Sequence, residues 1–154
     1  MKPTINYILH VDDDEEDYCM LNEAVKEVSN QIEVGFMKSL PESMKALTAP
    51  PPDLIFLDIN MPAYDGFYWL EEIGKEPTIT TPVIMYSTAS TDNYVAKAYD
   101  AGAHLFLVKP STYAQLVASL HHILYLDWQD PVRVRQQFHD KDKFQPFQLE
   151  LINL

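Results

Sequence analysis

The sequence predicts an α/β protein built on a five-stranded parallel sheet, and three observations point there. Short apolar runs of strand length recur along the chain, stretches with helical spacing separate them, and Pro, Gly, Asn or acidic residues mark the junctions. Runs such as Leu54-Ile55-Phe56-Leu57 are apolar at consecutive positions rather than alternating, which suits strands covered on both faces. Strands alternating with helices in a chain of 154 residues imply right-handed crossovers within one domain.

Ile5 to Val11 reads as the first strand, stopped by the acidic run Asp12 to Asp17. Tyr18, Leu21, Val25 and Val28 then form a helical stripe, with Asp14 or a neighbouring acid as its cap and carboxylates suited to the positive end of its dipole. Ile32 to Phe36 is a weaker strand. Ser39 to Leu47, opening with Ser39, Pro41 and Glu42, is expected as a short helix. Pro50-Pro51-Pro52 precede the apolar strand between Asp53 and Asp58, and Phe67, Leu70 and Ile73 mark the following helix. Pro82 to Ser87 is the fourth strand, with a helix from about Thr91 to Ala101 capped by Gly102. His104 to Val108 is the fifth strand, and Tyr113 to Leu126 has helical spacing. That makes five strands and five helices, after which Pro131 is placed to start one more short helix through Phe138.

Composition narrows the function. The chain is 47% hydrophobic and 12% aromatic, too apolar for a disordered segment, and its formal net charge of −12 has the wrong sign for neutralising nucleic-acid phosphates or anionic membranes. No apolar run reaches membrane-spanning length, the start lacks the pattern of a signal peptide, and the single cysteine allows no internal disulfide. A cytoplasmic protein without nucleic-acid or membrane partners is the expectation.

In open parallel sheets, ligands bind beyond the carboxyl ends of the strands. The polar residues there are Asp12 and Asp13 after the first strand, Asp58 after the third, Ser87 and Thr88 at the fourth and Lys109 after the fifth. Three carboxylates brought together repel unless a cation compensates, and Mg²⁺ is a hard ion that accepts carboxylates, a carbonyl and a phosphoryl oxygen. A lone acid at a strand end is more often a cap or a solvated group, and Asp14, Glu15, Glu16 and Asp17 are assigned to such a charged face. Asp58 ends a rigid apolar strand and suits a carboxylate nucleophile, with Lys109 and Ser87 as partners for the phosphoryl oxygens. Pro110 can hold a cis bond and aim Lys109 inward, against the plain reading of a lysine snorkelling at a strand end. Asn60 is either a turn residue or a source of a backbone carbonyl for the metal. Gly66 meets a turn or close packing need. Cys19 reads as core or half-buried filler, and His10, His104, His121, His122 and His139 show no metal-ligand spacing.

With these residues assembled, the chain resembles the receiver domain of bacterial response regulators, most closely the stand-alone kind. The motifs are Val11-Asp12-Asp13, Leu57-Asp58-Ile59-Asn60-Met61-Pro62 with Asp65-Gly66, Pro82 to Thr88, and Leu107-Val108-Lys109-Pro110, in register over residues 5–126. The resemblance implies a doubly wound sheet in the order 2-1-3-4-5 with helices on both faces. It implies Asp58 as phosphoacceptor, Asp12 and Asp13 as Mg²⁺ residues with Asp58, the Asn60 carbonyl completing the metal site, Lys109 as phosphate-binding lysine and Ser87 with Phe106 as switch positions. The implied partner is a sensor histidine kinase or a histidine phosphotransfer protein, with a downstream protein target. Phe106 lacks a hydroxyl, and Ala89 leaves no polar side chain to guide an attacking water from that side.

Two other classes stand against this reading. An aspartate-based, Mg²⁺-dependent phosphohydrolase would want a carboxylate where Asn60 stands, and a receiver-like binding scaffold would be expected to lack one of Asp12, Asp13, Asp58 and Lys109. The chain is therefore not expected to be an enzyme beyond its own phosphorylation and dephosphorylation. Residues 1–127 form the receiver unit. The extension 128–154, with Trp128, Val132, Val134, Phe138, Phe144, Phe147, Leu149, Leu151, Ile152 and Leu154, is too apolar for a solvated linker and is expected to pack on its own domain or across a homodimer interface.

Overall fold

In the computed structural model, which describes residues 4–40, 44–48, 50–88, 91–140 and 143–147, the apolar runs become β1 (Tyr7–Val11), β2 (Glu33–Met37), β3 (Leu54–Leu57), β4 (Val83–Ser87) and β5 (Leu105–Val108). They pair in parallel in the order β2-β1-β3-β4-β5, the doubly wound arrangement. The register of the pairing decides which polar residues meet at the carboxyl edge. Val11 lies opposite Leu57, so Asp12 and Asp58 leave the sheet side by side, and Ser87 lies opposite Val108, one residue before Lys109.

Successive strand residues point to opposite faces, and each face is buried. Ile8, Phe56, Ile84 and Leu107 pack under α1 (Glu15–Val28) and α4 (Tyr113–Ile123) with Leu21, Val25, Leu116 and Leu120. Leu9, Leu57, Met85 and Phe106 pack under α2 (Gly66–Gly74) and α3 (Asp92–Asp100) with Leu70, Ile73, Val95 and Tyr99. Each helix starts on a side-chain oxygen that accepts from a first-turn N–H: Asp14 for α1, Asp65 for α2, Thr91 for α3 and Thr112 for α4. Gly102 follows α3 at φ 113°, in the left-handed region that a helix stop favours.

Several expectations need correcting. The short helix from Ser39 is a five-residue 3-10 helix at Met44–Thr48, so three α-helices and one 3-10 turn link the strands of the sheet and α4 follows the last strand. The proline run from Pro50 stops this segment before a full α-helical hydrogen-bond ladder can build; Pro41 and Glu42 lie outside the described residues. α4 ends at Ile123, with its cap at Leu124, rather than at Leu126. Cys19 is exposed, because it stands one position off the stripe that buries Leu21 and Val25 and so points about 100° away from Tyr18. Tyr18 and Val28, at the ends of that stripe, are only partly buried.

Beyond α4, Asp130 caps α5 (Pro131–Gln136), and β6 (His139–Asp140) and β7 (Lys143–Phe144) form a small antiparallel pair. Trp128, Val134 and Phe147 are buried in the same apolar cluster as β1, α1 and α4, whereas Val132, two positions from Val134 and so on the opposite side of α5, is exposed. Phe147 makes an isolated parallel bridge to Leu107, and its N–H donates to the Phe106 carbonyl at 2.5 Å. The extension thereby covers the outer edge of β5, which would otherwise present unpaired main-chain groups. Leu149, Leu151, Ile152 and Leu154 lie outside the described residues. Among the described residues, no helix is long and apolar enough to cross a membrane.

Candidate functional site

β1 and β3 end together, and this delivers Asp12, Asp13 and Asp58 to one place. One ligand oxygen from each carboxylate lies within 4.8 Å of the others. Asp12 and Asp58 are buried, whereas Asp13 is exposed. An all-oxygen, anionic donor set of this kind fits a hard divalent cation.

The two buried acids respond in opposite ways to similar surroundings. Burial alone would raise both. At Asp12 it is outweighed by contact with His10, by the Lys109 ammonium and by the Asp14 N–H, so its carboxyl is held well below the usual range. At Asp58 burial wins and pushes the carboxyl up to about 7; Lys109 opposes this and the charge of Asp12 reinforces it. The Asn60 N–H also donates to the Asp58 carboxylate. Asp58 is thus held by a site short of positive charge, and a cation would correct that.

Lys109 reaches back over the acids from the end of β5. Its Nζ lies 3.0 Å from Asp12 Oδ2 and 3.7 Å from Asp58 Oδ2, while the Tyr86 ring lies 5.1 Å from the ammonium. Its backbone N–H donates to the Ser87 carbonyl at 3.0 Å, which ties the lysine to the end of β4. Burial would depress the Lys109 ammonium, but its contacts with the acids raise it above the ordinary lysine value. Pro110 follows it, half-buried.

Gly66 sits where the loop after β3 returns to start α2. A Cβ there would collide with the Asp58 carbonyl oxygen and stand 2.9 Å from Ile59 Cα, so only glycine lets the loop close against the acid's own backbone. The Gly66 N–H donates to the Ile59 carbonyl at 2.9 Å and pins that turn. Ser87 is buried at the end of β4; Thr88 is exposed, and Ala89 lies outside the described residues. Phe106 is fully buried on the α3 side of the sheet.

Two side chains near the acids were not singled out from sequence. Asp17, read as part of a charged face, places Oδ2 2.6 Å from Lys109 Nζ. His10, fully buried on β1, brings Nε2 to 3.3 Å from Asp12 Oδ2, without a well-aligned hydrogen bond from either ring nitrogen among the described residues. The two-residue period puts His10 on the Asp12 side of β1, a signal the sequence carried. For Asp17 the signal was its place in the first turn of α1, directly after the strand end.

Residues 8–121 match the response regulator receiver domain. The chain belongs to this family. Its receiver is 32% identical over 117 residues to the transcriptional regulatory protein PrrA of Mycobacterium tuberculosis, a match that covers 76% of this chain and 49% of PrrA. This chain spans half or less of the length of the curated relatives it matches. Among solved structures, the phosphorylated cyanobacterial phytochrome response regulator RcpA superposes with a TM-score of 0.69 at 27% identity, covering 80% of this chain and 96% of RcpA. The Mn²⁺-bound form of the response regulator Rcp1 gives 0.61 at 26% identity, covering 77% and 91% respectively. The receiver fold and the clustered acids are together suited to divalent-cation and phosphoaspartate chemistry.

Proposed function

We propose that this receiver is a phosphoacceptor switch of a two-component or phosphorelay system, taking a phosphoryl group from a phosphohistidine onto Asp58. The observation that carries the reading is a buried carboxylate at the end of β3 with Asp12, Asp13 and Lys109 gathered around it. An Asp58 oxygen bonds to phosphorus as the P–N bond to the donor imidazole breaks, and the bonding pair leaves on that ring nitrogen. Asp12, Asp13, Asp58 and the Asn60 carbonyl would hold Mg²⁺, which when bound neutralises charge on the carboxylates and on the transferring oxygens. Lys109 supplies an ammonium to one phosphoryl oxygen and Ser87 a hydroxyl to another. Pro110 and Gly66 keep the surrounding loops in place.

RcpA in its phosphorylated form and Rcp1 with Mn²⁺ bound support both halves of the reading by similarity. The donor is a sensor histidine kinase or a histidine phosphotransfer protein, and the output is contact with a downstream protein, governed from within by the Ser87 and Phe106 switch positions. Residues 1–127 act as the receiver unit. Residues 128–154 act as an extension of it, packed on the same domain, with a homodimer contact as the alternative.

Intact-mass measurement after treatment with Mg²⁺ and a small acyl-phosphate donor tests the reading. One phosphoryl group is expected on the wild-type chain, none on Asp58→Asn, and a several-fold higher Mg²⁺ requirement for Asp13→Asn. A mass gain that persists in Asp58→Asn or in excess chelator overturns it.

A further inference from the structure

The Lys109 ammonium has three N–H donors, and two of them are already committed. Nζ lies 2.6 Å from Asp17 Oδ2 and 3.0 Å from Asp12 Oδ2, both hydrogen bonds, whereas Asp58 Oδ2 at 3.7 Å is beyond that reach. The Tyr86 ring occupies a further side of the ammonium at 5.1 Å. Asp17 belongs to the first turn of α1 and lies outside the carboxylate cluster of Asp12, Asp13 and Asp58. We propose that Asp17 is a positioning residue for phosphoryl acceptance: it holds Lys109 away from the phosphoryl position in the resting chain and releases it when Asp58 is modified.

This inference rests on the phosphoacceptor reading and adds to it a competitor for the lysine. The partner that yields can be named from burial. Asp12 is fully buried; its Oδ1 accepts from the Asp14 N–H at 3.0 Å and its Oδ2 also faces His10. Withdrawing the ammonium from it would leave a carboxylate charge uncompensated away from water, which is costly. The Asp17 side chain is 31% exposed, so water can hydrate its carboxylate once the ammonium departs. Release from Asp17 is therefore the cheaper exchange, with a phosphoryl oxygen taking the place of Asp17 Oδ2. The balance between these two acceptors then sets how readily the phosphorylated state forms and how quickly it is lost.

The test is titration of the full chain with beryllofluoride, an acyl-phosphate mimic, at saturating Mg²⁺, followed by calorimetry and by the Lys109 Nζ resonance. Asp17→Asn keeps the shape and removes the charge. It is expected to bind the mimic about three- to tenfold more tightly, the range for losing a competing, partly exposed charged hydrogen bond. In a Lys109→Ala background the same substitution is expected to change nothing, because the effect acts through the ammonium. Weaker or unchanged binding by Asp17→Asn would mean that Asp17 orients the lysine toward the phosphoryl group or leaves it alone, and overturns the inference. A gain that persists without Lys109 marks a general charge effect and overturns it as well. If wild type and Asp58→Asn both fail to bind the mimic, the phosphoacceptor reading itself is wrong and this inference falls with it.

Discussion

The carboxyl edge of the sheet and the outer flank of β5 bury polar groups by different means. At the edge, Asp12, Asp58 and Lys109 are ionisable side chains whose charges are matched chiefly against one another, and the match is uneven: Asp12 is held down and Asp58 is pushed up to about 7. At the flank, the polar groups are mostly main-chain amides with neutral partners. The Phe106 N–H donates to Tyr99 Oη, the Tyr99 hydroxyl donates to the Gln145 carbonyl, and the Phe147 N–H donates to the Phe106 carbonyl. The first arrangement is responsive, because adding a cation or a phosphoryl group changes its balance. The second is structural, since it is satisfied already and closes the sheet. Phe106 stands where the two meet, with its side chain in the α3-side core and both main-chain groups in the flank network.

The largest effect that would break this contrast is electrostatic. Burial, opposed by Lys109 and reinforced by Asp12, raises Asp58 from an ordinary 3.8 to about 7. A raised carboxyl keeps its proton in the folded chain after the unfolded chain has lost it. Without divalent cation, its contribution to stability therefore falls as pH climbs from about 4 to about 7 and then levels off. Asp58→Asn is expected to match wild type near pH 4 and to be more stable by roughly 2–4 kcal/mol above pH 7. Saturating Mg²⁺ should close most of that gap by stabilising the wild-type carboxylate. Asp12 runs the other way: its depressed value gives stability that is present above about pH 4 and lost below it. Urea unfolding of both chains from pH 4 to 8, in chelator and in Mg²⁺, would show the Asp58 dependence. A pH-independent difference between them would mean that Asp58 is ionised at no unusual cost.

At the flank the expected loss is of comparable size but indifferent to pH and metal. Phe147 is 2% exposed and contributes its ring to the core cluster that also holds Leu107 and Leu116. Phe147→Ala should cost about 3 kcal/mol, the usual range for removing a buried aromatic ring. Phosphoryl incorporation at Asp58 should survive, since every proposed site residue lies on the other side of position 111. The unfolding midpoint and intact mass of the variant check both halves. A midpoint equal to wild type would show that the extension does not rest on β5 in solution, and conversion of a dimer to a monomer in light scattering would place it between subunits instead.

How legible each region is in the sequence depends on the same contrast. The edge is spelled in side-chain types at strand ends, so once Leu54 to Leu57 and Val83 to Ser87 are read as strands, Asp12, Asp58, Ser87 and Lys109 must converge. Asp17 escaped because an acidic run after a strand is the ordinary pattern of a capped, solvated first turn, and Asp14 does play that part. What sets Asp17 apart is a lysine 92 positions away, a contact that only the fold creates. The flank is legible only as an excess of apolar residues. Its closing hydrogen bonds end on main-chain groups of Phe106, Gln145 and Phe147 that almost any residue could supply, and the Tyr99 hydroxyl that joins two of them is one tyrosine among nine, so residue type alone does not announce them. The 3-10 helix at Met44–Thr48 departs from expectation for a related reason: capping residues predict a helix start, while length and the proline run decide which kind of helix fits.

The smallest expected effect separates conformational from electrostatic cost within the edge itself. The loop that carries Asn60 and returns to Gly66 contains Ala63 at φ 67°, a left-handed conformation in which a Cβ crowds the following carbonyl. The Tyr64 N–H donates to the Pro62 carbonyl at 2.8 Å and holds Ala63 in that turn. Ala63→Gly relieves the strain but also gives the unfolded chain more freedom, so the net gain should be small, about 0.5 kcal/mol. Because the residue is exposed and uncharged, the gain should be the same at pH 4 and pH 8, and the same in wild type as in Asp58→Asn. Measured by urea unfolding in the four combinations, an equal increment would show that the loop is strained by its backbone alone. A gain that appears only where Asp58 is ionised would mean that the turn at Ala63 is set by the charge beside it, and that the edge stores its strain in one coupled unit rather than two.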